Sequence, residues 1–175
     1  KDLNWEIQND QRIGLIGPNG AGKSSLFKLI TGEFTPEPGG AVVLARGVSV
    51  GYLPQQPEFD PRQTPLQVVA AALPRLRQVK EELAKIEDSL ADPQVYGDEK
   101  RLSRALERQQ ALLEEYQSLG GDQFDLRVRE TLRGLGLAEV EFEKPVGLLS
   151  GGQKKLVGLA GLLLAAPQVL LLDEP

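Results

Sequence analysis

Cysteine and histidine are both absent from the 175 residues of the sequence. Their absence excludes disulfide frameworks, zinc sites built on these residues, cysteine nucleophiles and histidine-based catalytic triads. No apolar run approaches the roughly 20 residues that a membrane-spanning helix needs, and the start of the sequence lacks the charged and then apolar pattern of a signal peptide. The sequence therefore predicts a soluble, cytoplasmic protein that does not itself insert into a membrane. Its chemistry has to use carboxylates, lysine, hydroxyl groups, amides and the backbone.

Basic residues are scarce relative to acidic ones. The length suits one domain or slightly more, and 20 lysine and arginine residues against 25 aspartate and glutamate residues give a formal net charge of −5. Proteins that bind nucleic acid through a broad basic surface usually have the opposite balance. Only a local basic patch could therefore serve that purpose here.

A glycine-rich segment follows a predicted strand at residues 12–17 and precedes the apolar start of a predicted helix. It satisfies the pattern G-x-x-x-x-G-K-[ST], in which glycines let backbone N–H groups converge on phosphate oxygens and the helix N-terminus adds positive charge. Lys23 would supply a mobile cation for the terminal phosphates, and Ser24 would ligate Mg²⁺. The sequence thus predicts a nucleotide site formed by Gly17, Pro18, Asn19, Gly20, Ala21, Gly22, Lys23, Ser24 and Ser25.

Two acidic residues follow a continuous apolar run at residues 169–172. Such a run is typical of a parallel strand that is covered on both faces, and ligands of open α/β sheets bind at the carboxyl ends of these strands. We expect Asp173 to hold Mg²⁺ through water and Glu174 to polarise the water that attacks a γ-phosphate.

The segment Leu149-Ser150-Gly151-Gly152-Gln153 predicts the start of a helix. Ser150 can cap this helix, and Gln153 can complete a capping box. Two glycines in a first turn weaken a helix, but they make sense if a phosphate must approach the backbone N–H groups closely. A second anion site of this kind implies a second nucleotide, or one nucleotide shared between two domains.

The remaining segments predict further strands and a long helical region. Residues 3–8 alternate as in a strand that enters a turn at Asn9-Asp10, and residues 41–53 contain two β-rich runs. Residues 65–119 have helix composition, with Pro74 at the first turn of a helix. Two heptad seams predict an antiparallel hairpin that projects on the order of 25 Å. Their residues are Leu76, Val79, Leu83, Ile86 and Leu90 in the first helix, and Leu102, Leu106, Gln109, Leu113 and Tyr116 in the second.

Three segments together resemble the ABC ATPase superfamily. GPNGAGKSS at residues 17–25 is similar to its Walker A loop, LSGGQ at residues 149–153 to its signature, and LLLDEP at residues 170–175 to its Walker B strand. The resemblance implies an α/β fold with an ABC-type P-loop NTPase core, in which helices flank a parallel sheet that is joined by a small antiparallel β part. It also implies a helical subdomain that carries the inserted antiparallel α-hairpin.

The resemblance divides the chain into two parts. It assigns residues 1–64 and 138–175 to the ATPase core, which we expect to be incomplete at both ends, and residues 65–137 to the helical subdomain, with an arm-like coiled-coil hairpin at about 74–120. Gly161 stands where the family commonly has a basic residue.

The family also implies how the site works. In ABC ATPases the signature of one domain closes over ATP that is held by the Walker A loop of a second domain, so residues 150–153 are expected to contact the ATP of a partner domain. Gln55 in YLPQQP matches the family's Q-loop glutamine, which senses Mg²⁺ and the attacking water. The implied cofactors are ATP and Mg²⁺. Glu174, Lys23 and Gln55 are the implied catalytic residues, and Ser24, Gln55 and Asp173 the implied metal ligands.

The stretch between Gln55 and Ser150 is longer than transporter ATPases usually need, and the predicted hairpin accounts for the excess. In this respect the chain is similar to the ABC-F family of soluble tandem ABC ATPases, which act on ribosomes. Basic residues near the hairpin tip could contact rRNA phosphates or a ribosomal protein, or could form a solvated charged face. These residues are Lys100, Arg101, Arg104 and Arg108.

The alternative is the motor subunit of an ABC membrane transporter, with a transmembrane subunit as its partner. A coiled-coil DNA-maintenance ATPase is disfavoured because the insertions of those proteins are far longer.

Overall fold

The computed structural model describes residues 3–8 and 10–174, in two compact units that span Lys1–Leu44 (unit 1) and Ala45–Pro175 (unit 2). Unit 1 contains helix α1, and unit 2 contains the other elements. The elements in chain order are α1 (Lys23–Ile30), β1 (Val50–Leu53), α2 (Pro65–Ala71), α3 (Pro74–Leu90), α4 (Pro93–Tyr96), α5 (Glu99–Ser118), α6 (Phe124–Gly134), α7 (Gly151–Ala165) and β2 (Val169–Leu172). Short 3₁₀ turns lie at Gly121–Gln123, Glu139–Glu141 and Val146–Leu148.

Unit 1 differs from the sequence prediction in its strands. The described residues of this unit form no backbone ladder, so the strands expected at 3–8 and 12–17 are absent there. Alternating apolar residues indicate an extended chain, but a strand also needs a hydrogen-bonded neighbour. The side chain of Ile16 is correspondingly fully exposed. The turn expected at Asn9-Asp10 includes Asn9, which lies outside the described residues.

The sheet of unit 2 consists of β1 and β2, which pair in parallel with Val50 opposite Val169 and Leu53 opposite Leu172. The predicted strand at 169–172 is therefore confirmed. Of the β-rich runs at 41–53, only Val50–Leu53 forms a strand, and the described residues contain no antiparallel ladder. The α/β class with a parallel sheet holds, whereas the small antiparallel β part is not formed in the described chain, because its segments have no ladder partner.

Glycine allows two close approaches in unit 2. A Cβ on Gly51 would lie 2.6 Å from the Cγ atom of Pro167 and 2.9 Å from a methyl carbon of Leu162, so β1 passes directly against the end of α7. A Cβ on Gly161 would lie 3.2 Å from that of Ala72, where α7 packs on α2. Any side chain at position 161, including the basic one that the family commonly has, would press on Ala72 and require a small local shift there.

The main core lies between α2, α6 and α7. Val69, Leu132, Phe142 and Val157 are all completely buried there. Proline residues begin α2, α3 and α4, since their fixed φ angle and missing N–H group suit a first helical turn. No helix in the described parts of the chain has both the length and the apolar character needed to cross a membrane.

Helices α3 and α5 form an antiparallel hairpin with α4 between them. Arg75 near the start of α3 donates from Nε and Nη2 to the two carboxylate oxygens of Glu115 near the end of α5, both at 2.6 Å. Arg108 pairs with Glu82 at 2.5 Å further along the hairpin. The hydrogen bonds from Arg75 lower the pKa of Glu115, and the same bonds raise the pKa of Arg75. The two ion pairs show that α3 and α5 run antiparallel, since the start of one helix pairs with the end of the other.

The buried seam of the hairpin agrees with the sequence prediction in α3 but not throughout α5. Leu76, Val79 and Leu83 are buried as predicted. In α5 the buried residue is Leu112, whereas Leu106 and Leu113 are 48% and 42% exposed. The prediction that Leu106 and Leu113 lie in the seam is therefore wrong. Leucine occupies both position 112 and position 113, so spacing alone does not choose between two adjacent stripes.

Candidate nucleotide-binding site

The glycine-rich loop of unit 1 turns tightly into α1. Gly20 and Gly22 have φ angles of 81° and 93°, in the left-handed region that glycine adopts readily, and the Ala21 amide donates to the Pro18 carbonyl at 3.1 Å. Gly22 is the N-cap of α1 and provides no side-chain cap. The backbone N–H groups of the first turn of α1 therefore lack intrahelical acceptors.

Lys23 lies back over this loop. Its Nζ atom donates to the carbonyl oxygen of Gly17 at 2.9 Å and to that of Pro18 at 3.2 Å. An ammonium group and uncapped helix amides are thus brought to one loop, and this combination suits phosphate oxygens. Asn19, Ser24 and Ser25 belong to the same loop and first turn, so the residues predicted to bind phosphate lie together in unit 1, and their role stays a prediction.

The two predicted acidic residues of unit 2 lie directly after β2. Asp173 is only 5% exposed, and its carboxylate accepts a hydrogen bond from the hydroxyl group of Tyr52 at 3.3 Å. Glu174 is exposed, and its Oε2 atom accepts from Nε2 of Gln55 at 2.6 Å. The structure therefore brings Gln55 and Glu174 into direct contact, although 119 positions separate them in the sequence.

The backbone of Glu174 has an uncommon conformation and makes a hydrogen bond to α7. Its φ angle of 51° lies in the left-handed region, which is uncommon for a residue other than glycine. The Nζ atom of Lys155 in α7 donates to the Glu174 carbonyl oxygen. Sequence reasoning identified neither Lys155 nor Tyr52. Lys154 and Lys155 are adjacent, and nothing in the sequence indicates which of them contacts Glu174. Tyr52 has the sequence features of an ordinary strand residue.

The capping box predicted at the start of α7 is formed. The Ser150 hydroxyl oxygen accepts from the Gln153 amide at 3.2 Å, and the Gln153 side-chain oxygen accepts from the Ser150 amide at 2.8 Å. Nε2 of Gln153 donates to Glu141 at 2.5 Å. Gly151 and Gly152 are exposed, with no atom within 4 Å of the position of a Cβ on either residue. The start of α7 is thus capped by side-chain hydrogen bonds and sterically open at its two glycines.

A metal ion at these residues would take part of its coordination from a bound ligand such as a nucleotide phosphate. Within the described chain, no group of three or more aspartate and glutamate side chains could hold a metal ion. Mg²⁺ is commonly bound through one or two carboxylates together with phosphate oxygens and water. In unit 2, Asp173 and Gln55 carry side-chain oxygen atoms of the kind that Mg²⁺ accepts as ligands. In unit 1, Ser24 carries a hydroxyl oxygen of the same kind.

The basic residues near the hairpin tip are partly neutralised. Arg108 pairs with Glu82, and Arg101 lies 3.7 Å from Asp98. Lys100 and Arg104 are exposed, and neither has an ion pair among the described residues. Of the four basic residues near the hairpin tip, two therefore carry a charge with no acidic partner among the described residues.

Comparisons with known proteins extend this description. A family model described as "ABC transporter" matches residues 1–175. The tylosin resistance ATP-binding protein TlrC of Streptomyces fradiae is 39% identical over 169 residues, which is 97% of this chain and 30% of that protein. The energy-dependent translational throttle protein EttA of Haemophilus influenzae is 32% identical over 183 residues, covering 100% of this chain and 30% of that protein.

ABC transporter F family member 5 of Arabidopsis thaliana is 29% identical over 175 residues, covering 100% of this chain and 25% of that protein. The chain therefore spans between a quarter and a third of the length of these relatives.

Proposed function

This chain belongs to the ABC transporter family and is an ATP-binding domain of the ABC-F-like type, and from that premise we propose that it hydrolyses ATP with Mg²⁺ in a protein that acts on the ribosome. The contact between Gln55 and Glu174 at the end of β2 carries the catalytic part of the proposal. It joins an amide group to an exposed carboxylate that can accept a hydrogen bond from water, and the buried carboxylate of Asp173 is adjacent in the sequence.

The loop of unit 1 binds the phosphates in this proposal. The amides at residues 20–25 and the ammonium group of Lys23 donate to phosphate oxygens, and Ser24 contributes its hydroxyl oxygen to the metal ion. Lys23 already donates to two carbonyl oxygens of its own loop. Its ammonium group would exchange these neutral acceptors for charged phosphate oxygens, which form stronger hydrogen bonds.

In this proposal the acidic residues of unit 2 orient and polarise the water that attacks the γ-phosphate. Glu174 accepts a hydrogen bond from the attacking water, while the bond from Gln55 fixes the orientation of the Glu174 carboxylate. Asp173, whose carboxylate accepts a hydrogen bond from Tyr52, would hold Mg²⁺ through water. Bound ATP would supply the phosphoanhydride bond that is cleaved, and Mg²⁺ would neutralise charge on its phosphates.

A second ABC domain completes the site in this proposal. Residues 150–153 contact the ATP that the partner domain holds, because the exposed amides of Gly151 and Gly152 at the start of α7 suit an incoming phosphate. The open space around both glycines supports this role, since a bulky anion can reach the backbone there.

The ribosomal part of the proposal is supported by the relatives and by the hairpin. One relative is named as a translational throttle protein and another as a resistance protein for tylosin. The hairpin of α3 and α5 exposes Lys100 and Arg104, which could contact rRNA phosphates or a ribosomal protein. A cytoplasmic location follows from this role.

The test is the Glu174→Gln variant of the full-length protein. We expect this variant to bind ATP, to hydrolyse it about 100-fold more slowly or worse because it lacks the water-polarising carboxylate, and to co-sediment with ribosomes in ATP. Glu130→Gln, which changes an exposed glutamate of α6, is the matched control and should behave as the wild type. Failure of the Glu174→Gln variant to co-sediment with ribosomes would refute the ribosomal role, and rapid hydrolysis would refute the assignment of Glu174.

The second candidate is the motor subunit of a membrane transporter, which the description of the matching family model favours. In that case the Glu174→Gln variant should co-purify in ATP with an integral membrane protein and not with ribosomes. Sedimentation of the same sample through sucrose, with and without detergent, separates the two outcomes.

A further inference from the structure

We propose that Lys155 is a positioning residue for ATP hydrolysis, which holds the main chain of Glu174 so that its carboxylate meets Gln55. This inference rests on the proposed function, because it assigns a task to a residue that acts through Glu174. Lys155 lies outside the phosphate loop, the Ser150 cap and the acid pair.

Glu174 has a backbone conformation that requires support. Its φ angle of 51° lies in the left-handed region, where the Cβ atom of an L-residue is crowded by the backbone. A residue other than glycine stays in this region only when surrounding contacts determine it. The positive φ angle sets the direction in which the Glu174 side chain leaves β2.

Three contacts supply this support from different elements. The amide of Asp173 donates to the carbonyl oxygen of Leu53 at 2.9 Å, which extends the β1–β2 ladder to the residue before Glu174. Nζ of Lys155 donates to the carbonyl oxygen of Glu174, and Nε2 of Gln55 donates to its carboxylate. The Asp173 bond fixes the chain that leads into Glu174. The Lys155 bond fixes the carbonyl group of Glu174, and the Gln55 bond fixes its side chain. Among these three contacts, the Lys155 bond is the one made to the main-chain carbonyl oxygen of Glu174.

Lys155 is well placed for this task. It lies in the second turn of α7, just beyond the capping box of Ser150 and Gln153, and its side chain is half-buried. Its aliphatic stem can therefore pack while the ammonium group reaches the carbonyl oxygen. A charged donor also makes a stronger hydrogen bond than a neutral one.

Lys154, the residue before Lys155 in α7, provides a matched control. It has the same chemistry and is also half-buried, but its side chain has no hydrogen bond or ion pair among the described residues. A change at position 154 removes the same charge from the same helix without touching Glu174.

The experiment compares Lys155→Ala, Lys154→Ala and Lys155→Arg in the full-length protein. For Lys155→Ala we expect kcat for ATP hydrolysis to fall by about 10- to 100-fold, with KM changed by less than about threefold, because misplacement of a catalytic group by about 1 Å has an effect of this size. Lys154→Ala should retain kcat within about threefold, and Lys155→Arg should recover much of the loss because it keeps a charged donor. Hydrogen exchange of the peptide over residues 169–174 should be faster in Lys155→Ala than in Lys154→Ala.

The outcomes separate this inference from the proposed function. If the wild type hydrolyses ATP and Lys155→Ala matches Lys154→Ala in kcat and in exchange, the positioning role is wrong while the ATPase assignment holds. If the wild type does not hydrolyse ATP, the proposed function fails, and with it the catalytic part of the inference. Faster exchange in Lys155→Ala would then still support the contact with Glu174, and unchanged exchange would overturn it. A lower melting temperature in Lys155→Ala, with no recovery of kcat in Lys155→Arg, would assign Lys155 a merely structural role.

Discussion

Replacement of Leu112 by alanine is expected to destabilise the hairpin of α3 and α5 far more than the same replacement at the adjacent Leu113. Leu112 is 1% exposed and packs with Val79 and Leu83 in a small buried cluster. Leu113 is 42% exposed. The two variants remove the same atoms from neighbouring positions of one helix, so helix propensity and composition change equally.

The size of the difference follows from burial. Replacement of a fully buried leucine by alanine costs about 2–5 kcal/mol in the free energy of unfolding. The cluster around Leu112 lies between only two helices and can relax or admit water, so we expect about 2–3 kcal/mol. Leu113 loses only part of its apolar contact, which corresponds to about 1 kcal/mol or less. The difference of about 2 kcal/mol equals roughly a 30-fold change in an opening equilibrium.

Native-state hydrogen exchange of the α5 amides measures this equilibrium directly. Leu112→Ala should accelerate exchange across α5 by roughly 30-fold relative to Leu113→Ala, and urea unfolding followed by circular dichroism should show the same order. Equal acceleration in both variants, or a larger effect at Leu113, would mean that α5 presents its other stripe to α3 and that the seam described here is wrong.

Two further predictions concern packing and charge. Gly51→Ala should lower the free energy of unfolding by about 1–3 kcal/mol, because the ring of Pro167 has little room to move. Gly134→Ala is the control and should be neutral or slightly stabilising, because no atom lies near its added Cβ. The melting temperatures of the two variants, measured by calorimetry, test this prediction. Glu115→Gln should loosen the hairpin at neutral pH. Because Arg75 lowers the folded-state pKa of Glu115, the contribution of this pair is present above the unfolded pKa of about 4.3 and is lost as the pH falls through the folded value. Urea unfolding at several pH values should therefore show the wild type and variant converging only in acid, and a gap that persists there would contradict the account.

Local sequence patterns predicted the elements whose causes are local. The glycines before Lys23, the Ser150 cap and the proline at the start of α3 each act within one helical turn, and all three are present as predicted. The strand at 169–172 was predictable from its continuous apolar run, but the expected cover on both faces is not present, since Leu170 is 39% exposed. The strands expected at 3–8 and 12–17 could not be decided in the same way, since a strand depends on a neighbour that its own pattern does not specify.

Contacts between residues far apart in the chain were mostly not predictable from the sequence. The glutamine at position 55 was selected through a family resemblance, and its bond to Glu174 appears only in the structure. The roles of Tyr52 and Lys155 depend on which way a strand and a helix face. Burial of Leu112 in place of Leu113 has the same origin, because a leucine at either position continues the steps of three and four residues between Gln109 and Tyr116.

Helix α7 links the two halves of the proposed mechanism. Its first turn presents Gly151 and Gly152, which we assign to the ATP of a partner domain, and its second turn presents Lys155, which holds Glu174. The middle of the helix is anchored by Val157 and Ala160, both completely buried. The capping box and these buried residues tie both the first turns and the middle of α7 to the surrounding structure. A partner domain that displaces the glycine turn would therefore also displace Lys155, so the geometry of Glu174 would depend on whether the second domain is engaged.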